Sequence, residues 1–151
     1  MKFIIALLLV SMNAFAANSA SLNLKGVVPE SCSVGIVETL DATTIDILAG
    51  ETGIKVATVT ETCNKPTGYT VLMSSASGSK LVFGASQFPY TLAYGNSTYK
   101  TITVVPLMMK SVANLTAKTT TASDILFTMV GQPNALSGTY VDTVTITIQG
   151  N

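Results

Sequence analysis

The stretch "SGTYVDTVTITIQGN" (residues 137–151) decides the fold. From Tyr140 onward its residues alternate. Tyr140, Asp142, Val144, Ile146 and Ile148 point one way, and Val141, Thr143, Thr145 and Thr147 point the other. Successive side chains of a strand face opposite sides of a sheet, so the pattern predicts a strand with one dry face and one hydroxyl-rich face. An open strand edge carries a row of unpaired N–H and C=O groups and invites association. A strand this long and regular needs a neighbour. Either the rest of the sequence supplies one or another chain does.

Upstream, strand signals recur and helix signals do not. "SLNLKGVV" (21–28) alternates, with Leu22, Leu24 and Val28 on one face and Gly26 between them. Pro29-Glu30-Ser31 interrupts it, and "CSVGIV" (32–37) resumes extended structure. "TTIDIL" (43–48) predicts a short strand. "GIKVATVTETC" (53–63) places Ile54, Val56 and Thr58 on one face and Lys55, Ala57 and Val59 on the other. Lys65-Pro66-Thr67-Gly68 is turn chemistry, after which "YTVLMSS" (69–75) is again a strand. Turns at 75–80 and 95–98 bracket two more strands, and Pro106 forces a bulge or an edge position within 100–112. "AKTTTAS" (117–123) predicts a surface loop, and "DILFTMV" (124–130) is the strand before the terminal one. Short strands at this spacing predict one all-β domain, an antiparallel sandwich.

The first residues set the compartment. In "MKFIIALLLVSMNAFA" (1–16), Lys2 precedes an apolar run and Ala14-Phe15-Ala16 offers small residues at a cleavage site. The run is too short for a membrane span, so it predicts a cleaved signal peptide and a mature chain beginning at Ala17. Without Lys2, seven lysines face eight acids (8 − 1 = 7 Lys; 8 Asp and Glu), a net charge of −1. There is no Arg and no His, so nothing forms the cationic surface that nucleic acid requires. Charged residues make up 11% of the chain against a usual ~25%, a surface compatible with burial in an assembly. In an exported protein the pair Cys32 and Cys63 reads as a disulfide, contributing about 3–4 kcal/mol through the unfolded state.

Chemistry is poorly provided for. Without His, the common serine and cysteine hydrolase arrangements lack their base, and zinc sites lose their commonest ligand besides thiolate. Ser97-Thr98-Tyr99-Lys100 matches the S-x-x-K motif of penicillin-binding enzymes, but that motif works at the start of a helix, and this one lies in a strand-rich stretch. The acids Glu38, Asp41, Asp46, Glu51, Glu61, Asp124 and Asp142 are scattered. The expectation is no enzyme, no catalytic or metal residues and no cofactor.

Two cysteine regions, "LNLKGVVPESCSV" and "CNKPTGYTV", followed by the closing pattern Gly138, Tyr140, Asp142, Val144, Ile146 and Ile148, resemble the spore coat protein U family and the related archaic (Csu-type) chaperone–usher pilins. The resemblance runs over nearly all of the mature chain. It implies an immunoglobulin-like sandwich of pilin type that lacks its final strand and is completed by a donor strand. It further implies residues 17–31 as donor strand and short linker, with Ala20, Leu22, Leu24, Gly26 and Val28 facing inward, and residues 32–151 as the domain. Tyr140, Val144, Ile146 and Ile148 would form the acceptor edge that a periplasmic chaperone also binds. The implied partners are copies of the chain or related pilins, the chaperone and an outer-membrane usher. The implied destination is the cell surface by way of the periplasm, without direct membrane insertion. An alternative is a self-contained secreted sandwich acting as a binding or adhesive module, in which 21–28 is an ordinary first strand.

Overall fold

The structure, a computed structural model, describes residues 19–151. The predicted signal peptide (1–16) lies outside the described residues. The chain forms β1 (Cys32–Glu38), a single 3-10 turn (Leu40–Thr43), β2 (Gly50–Cys63), β3 (Gly68–Ser75) and β4 (Lys80–Phe83). There follow β5 (Ser86–Tyr94), β6 (Leu107–Ala113), β7 (Thr119–Val130) and β8 (Val144–Gly150). These make two sheets, a five-stranded β1-β2-β7-β5-β4 and a three-stranded β6-β3-β8. Every strand pairing is antiparallel. The molecule is the all-β sandwich that the alternation predicts.

The core lies between the sheets. Val59 of β2, Val71 and Met73 of β3, Leu92 of β5 and Phe127 of β7 are buried there. Ile102, on the crossover between β5 and β6, plugs the same layer. The Cys32–Cys63 disulfide closes the first rung of the β1–β2 ladder, where the two residues are already register partners.

Three expectations need correction. Residues 43–48 form no strand, because they lie in the 3-10 turn and the connection that leads into β2. Residues 119–123 are not loop but the first part of β7, whose Thr119, Thr120 and Thr121 pair with Cys63, Thr62 and Glu61. Their polar side chains look like a linker in sequence, yet the ladder bonds come from the backbone and do not depend on apolar side chains. In β2, Ala57, Val59 and Cys63 face the core, while Ile54 and Val56, of opposite parity, also pack against it. Register shifts between Thr52 and Ile54 and between Lys55 and Ala57 reconcile the two faces. A bulge moves parity by one residue, which strict alternation does not anticipate.

Candidate functional site

The two sheets do not close on one side. β1 is the edge of the large sheet and β8 the edge of the small one, and among the described residues no ladder joins them. Each therefore presents one row of free backbone groups. Between them lies a cavity of about 300 Å³. Its rims are Ile36 of β1 and Val144 and Ile146 of β8, and its floor includes Leu92, Ile125 and Phe127. An engineered apolar cavity of about 150 Å³ is large enough to take up benzene. This one is roughly twice as large. Ile36 shows what the opening costs: its strand parity turns it inward with Cys32 and Val34, yet it is 50% exposed.

β8 is the outer strand of the small sheet, and its parity is as read from the alternation. Val144, Ile146 and Ile148 are half-buried and packed against the core, while Thr145 and Thr147 face solvent. The strand begins at Val144, so Tyr140 and Asp142 precede it. Their roles are nonetheless definite. A Cβ at position 138 would collide with the Phe83 ring, so Gly138 admits that ring. Tyr140 packs on Phe83 and Phe88, with ring centroids 5.4 and 4.8 Å away. Its hydroxyl donates to the Leu136 carbonyl at 3.0 Å. The Asp142 carboxylate accepts from Ser75 Oγ and Tyr90 OH, each at 2.6 Å, and from the Ser77 and Thr143 amides at 3.0 and 2.7 Å. The bridge between Val82 and Val141 fixes this segment against β4. The closing pattern thus combines an aromatic anchor, a saturated carboxylate and a free apolar strand edge.

Among the described residues, nothing forms a ladder with the other half of the predicted site. Residues 19–31 form no strand, and Leu22, Leu24 and Val28 are 82%, 86% and 82% exposed. Ala20 and Gly26 are exposed with them. Only the linker is held. Asn64 accepts from the Ser31 amide at 2.6 Å and donates to the Pro29 carbonyl at 2.9 Å, and its own amide bonds Ser31 O at 3.0 Å. Lys65 stands 3.9 Å from Glu30. The segment leaves the body at a fixed point and then runs free. It does not fold back as a hairpin across Pro29-Glu30-Ser31.

Sequence reasoning missed a second feature, a buried cluster around Glu61. This side chain is fully buried; of its partners Tyr69 and Tyr94 are buried, and Lys110, Thr121 and Ser123 are half-buried. Oε1 accepts from Tyr94 OH and Ser123 Oγ, while Oε2 accepts from Tyr69 OH, Lys110 Nζ and Thr121 Oγ1. The donors come from β3, β5, β6 and β7, so one carboxylate ties both sheets together. A signal was present: Glu61 shares its parity with Ala57, Val59 and Cys63, which makes it a charge in a core position. By contrast, the S-x-x-K residues are not brought together. Ser97 Oγ accepts from the Tyr94 amide, and Lys100 Nζ reaches the Met108 carbonyl. Among the described residues no group of three or more potential ligands could hold a metal ion.

Both internal carboxylates are held below their ordinary range. Burial pushes Glu61 up, but its bonds from Lys110, Tyr69, Tyr94 and Ser123 outweigh that effect. Burial opposes Asp142 in the same way, and the Ser75 and Tyr90 hydroxyls with the Ser77 and Thr143 amides overcome it. Burial, and then the facing carboxylates, push the Tyr90 and Tyr94 phenols up. A carboxylate with a depressed folded pKa stabilises the fold above its unfolded value and loses that contribution as pH falls through the folded value. The thermal midpoint is therefore expected to hold from pH 7 to about 5 and to fall below about pH 4, where free carboxyls titrate. A midpoint that stays level down to about pH 2.5 would show that neither group contributes.

No family model matches the chain, and no curated protein does. Among solved structures, the E. coli Hda pilus minor tip subunit HdaB is similar, with a TM-score of 0.40 and 17% identity over 77% of this chain and 79% of that one.

Proposed function

We propose that the chain is a structural subunit of a bacterial surface pilus or coat fibre, serving adhesion or biofilm and coat formation. It is exported through the periplasm by a chaperone–usher route and polymerises by donor-strand exchange. Residues 17–31 are the donor segment and linker, and residues 32–151 are the sandwich that accepts the donor of another copy or a related pilin. One observation carries the reading: the same chain holds an open apolar groove between two strand edges and an alternating apolar segment that pairs with none of the described residues. An added strand bonds its backbone to such an edge, while alternate side chains fill the groove. Full burial of Leu22, Leu24 and Val28 is worth about 1.5–3 kcal/mol each, roughly 5–9 together. A whole domain is typically stable by about 5–15 kcal/mol, so filling the groove decides whether the subunit is robust. A self-contained binding module would pair 21–28 within its own chain, and the exposure of Leu22 and Leu24 speaks against it.

The test is deletion of residues 17–28 from the exported protein. Sedimentation of the secreted material is expected to show loss of polymer, while the truncated chain is still captured by its periplasmic chaperone. Continued polymer formation by that chain would end the reading.

A further inference from the structure

Resting on that reading, the lining of the groove selects one register for the incoming segment. Along the inner side of β8 the cavity is bordered by Ile146, Val144 and Asp142, and Ile148 is not part of its lining. Ile148 lies toward the end of β8 where Gly150 approaches Cys32 and Lys65. From that end the positions thus read closed at Ile148, apolar at Ile146 and Val144, and carboxylate at Asp142. Tyr140 follows, with its partners Phe83 and Phe88. The free segment reads small at Ala20, large apolar at Leu22 and Leu24, no side chain at Gly26, and apolar at Val28.

The geometry points to a second copy's segment lying antiparallel to β8, with Ala20 opposite Ile148, Leu22 opposite Ile146, Leu24 opposite Val144, Gly26 opposite Asp142 and Val28 opposite Tyr140. Asp142 is the positioning residue that sets this register. Opposed residues of an antiparallel pair lie on the same face, so each donor side chain meets its β8 counterpart directly. Both leucines then fill the open part of the cavity. The one position without a side chain falls on the carboxylate, which keeps its four donors undisturbed. Sliding the segment by two residues places Val28 or Leu24 on Asp142, pressing an apolar group against an ionised one. It also sets Gly26 or Ala20 against the open cavity and leaves part of it unfilled. Sliding by one turns every apolar side chain to solvent. An antiparallel course continues the pairing found in every ladder of the molecule.

Cysteine trapping at solvent-facing positions reads the register without touching the core. Asn23, Thr143, Thr145 and Thr147 are all exposed. In the exported full chain, the double variant Asn23→Cys/Thr145→Cys is expected to give a ladder of disulfide-linked oligomers on non-reducing gels. The variants pairing Asn23→Cys with Thr143→Cys or Thr147→Cys are expected to give at least tenfold less. Adding Gly26→Leu to the first variant should cut its ladder at least tenfold. The monomer will still fold, because nothing lies within 4 Å of a side chain at position 26. Strong ladders from the Thr143 or Thr147 variant would overturn this register while leaving strand exchange standing. A Gly26→Leu ladder as strong as its parent's would remove the role of Asp142. No ladder from any of the three pairs would overturn the register together with the reading beneath it.

Discussion

Moving residues 17–28 from the N-terminus to follow Asn151 through a short turn is expected to yield a stable monomer. β8 ends at Gly150, and a turn there sends the segment back antiparallel along the free edge. The segment then lies along the free edge of its own chain, and on the proposed reading none is left for another copy. Relative to a chain without residues 17–28, the gain should approach about 5–9 kcal/mol from Leu22, Leu24 and Val28. That figure is an upper value, because the unfolded chain already buries some apolar surface. With urea slopes of about 1–3 kcal/mol per molar, the midpoint should rise on the order of 2 M. Gel filtration should show one monomeric species. Equal urea midpoints for the two chains would mean that the groove gains nothing from being filled.

Glu61→Ala should produce the largest loss among single substitutions. It strips the acceptor from Tyr69, Tyr94 and Lys110 at once, inside the sandwich. Leaving the two buried phenols without their acceptor costs about 1–3 kcal/mol each, and the partly exposed Lys110 loses its ion pair as well. For a domain of this size that lowers the thermal midpoint on the order of 10–20 °C. Lys110→Ala should cost less, because Glu61 keeps its four hydroxyl donors from Tyr69, Tyr94, Thr121 and Ser123, whereas Glu61→Ala leaves all of them without their acceptor. The cluster draws on β2, β3, β5, β6 and β7 and on neither groove edge, so the Asn23–Thr145 crosslink should survive in molecules that remain folded. A change in midpoint of only a degree or two would show that the cluster adds no net stability.

The cluster explains where the sandwich can afford to be open. Glu61 and Lys110 bind the two sheets together through five strands, while β1 and β8 are left without a ladder between them. Asp142 holds the approach to β8 against Ser75 and Tyr90, so the groove rim is firm although its edge is unpaired. A rigid rim lowers the ordering cost that a docking strand must overcome.

Much of this was legible in the residues. Alternation from Tyr140 to Ile148 assigned the inner face of the terminal strand, because strand parity is a local property of the backbone. The same rule read Leu22, Leu24 and Val28 as one apolar face of a segment that forms no strand here, while export and an even cysteine count, not parity, gave the disulfide that the structure forms. It failed where local pattern and pairing part company. The threonines at 119–121 are strand because β2 lies beside them, and the bulges in β2 bring residues of both parities to the core. Glu61 looked like one more scattered acid until five strands converged on it.

The sequence by itself determined which residues are able to face inward, since hydropathy and strand period act over a few neighbours at a time. Only the tertiary structure decided that β1 and β8 end as separate edges with a groove between them, and that residues 19–28 stay outside it. Whether an edge is covered depends on chain segments far apart in sequence meeting in space, and no local pattern carries that information.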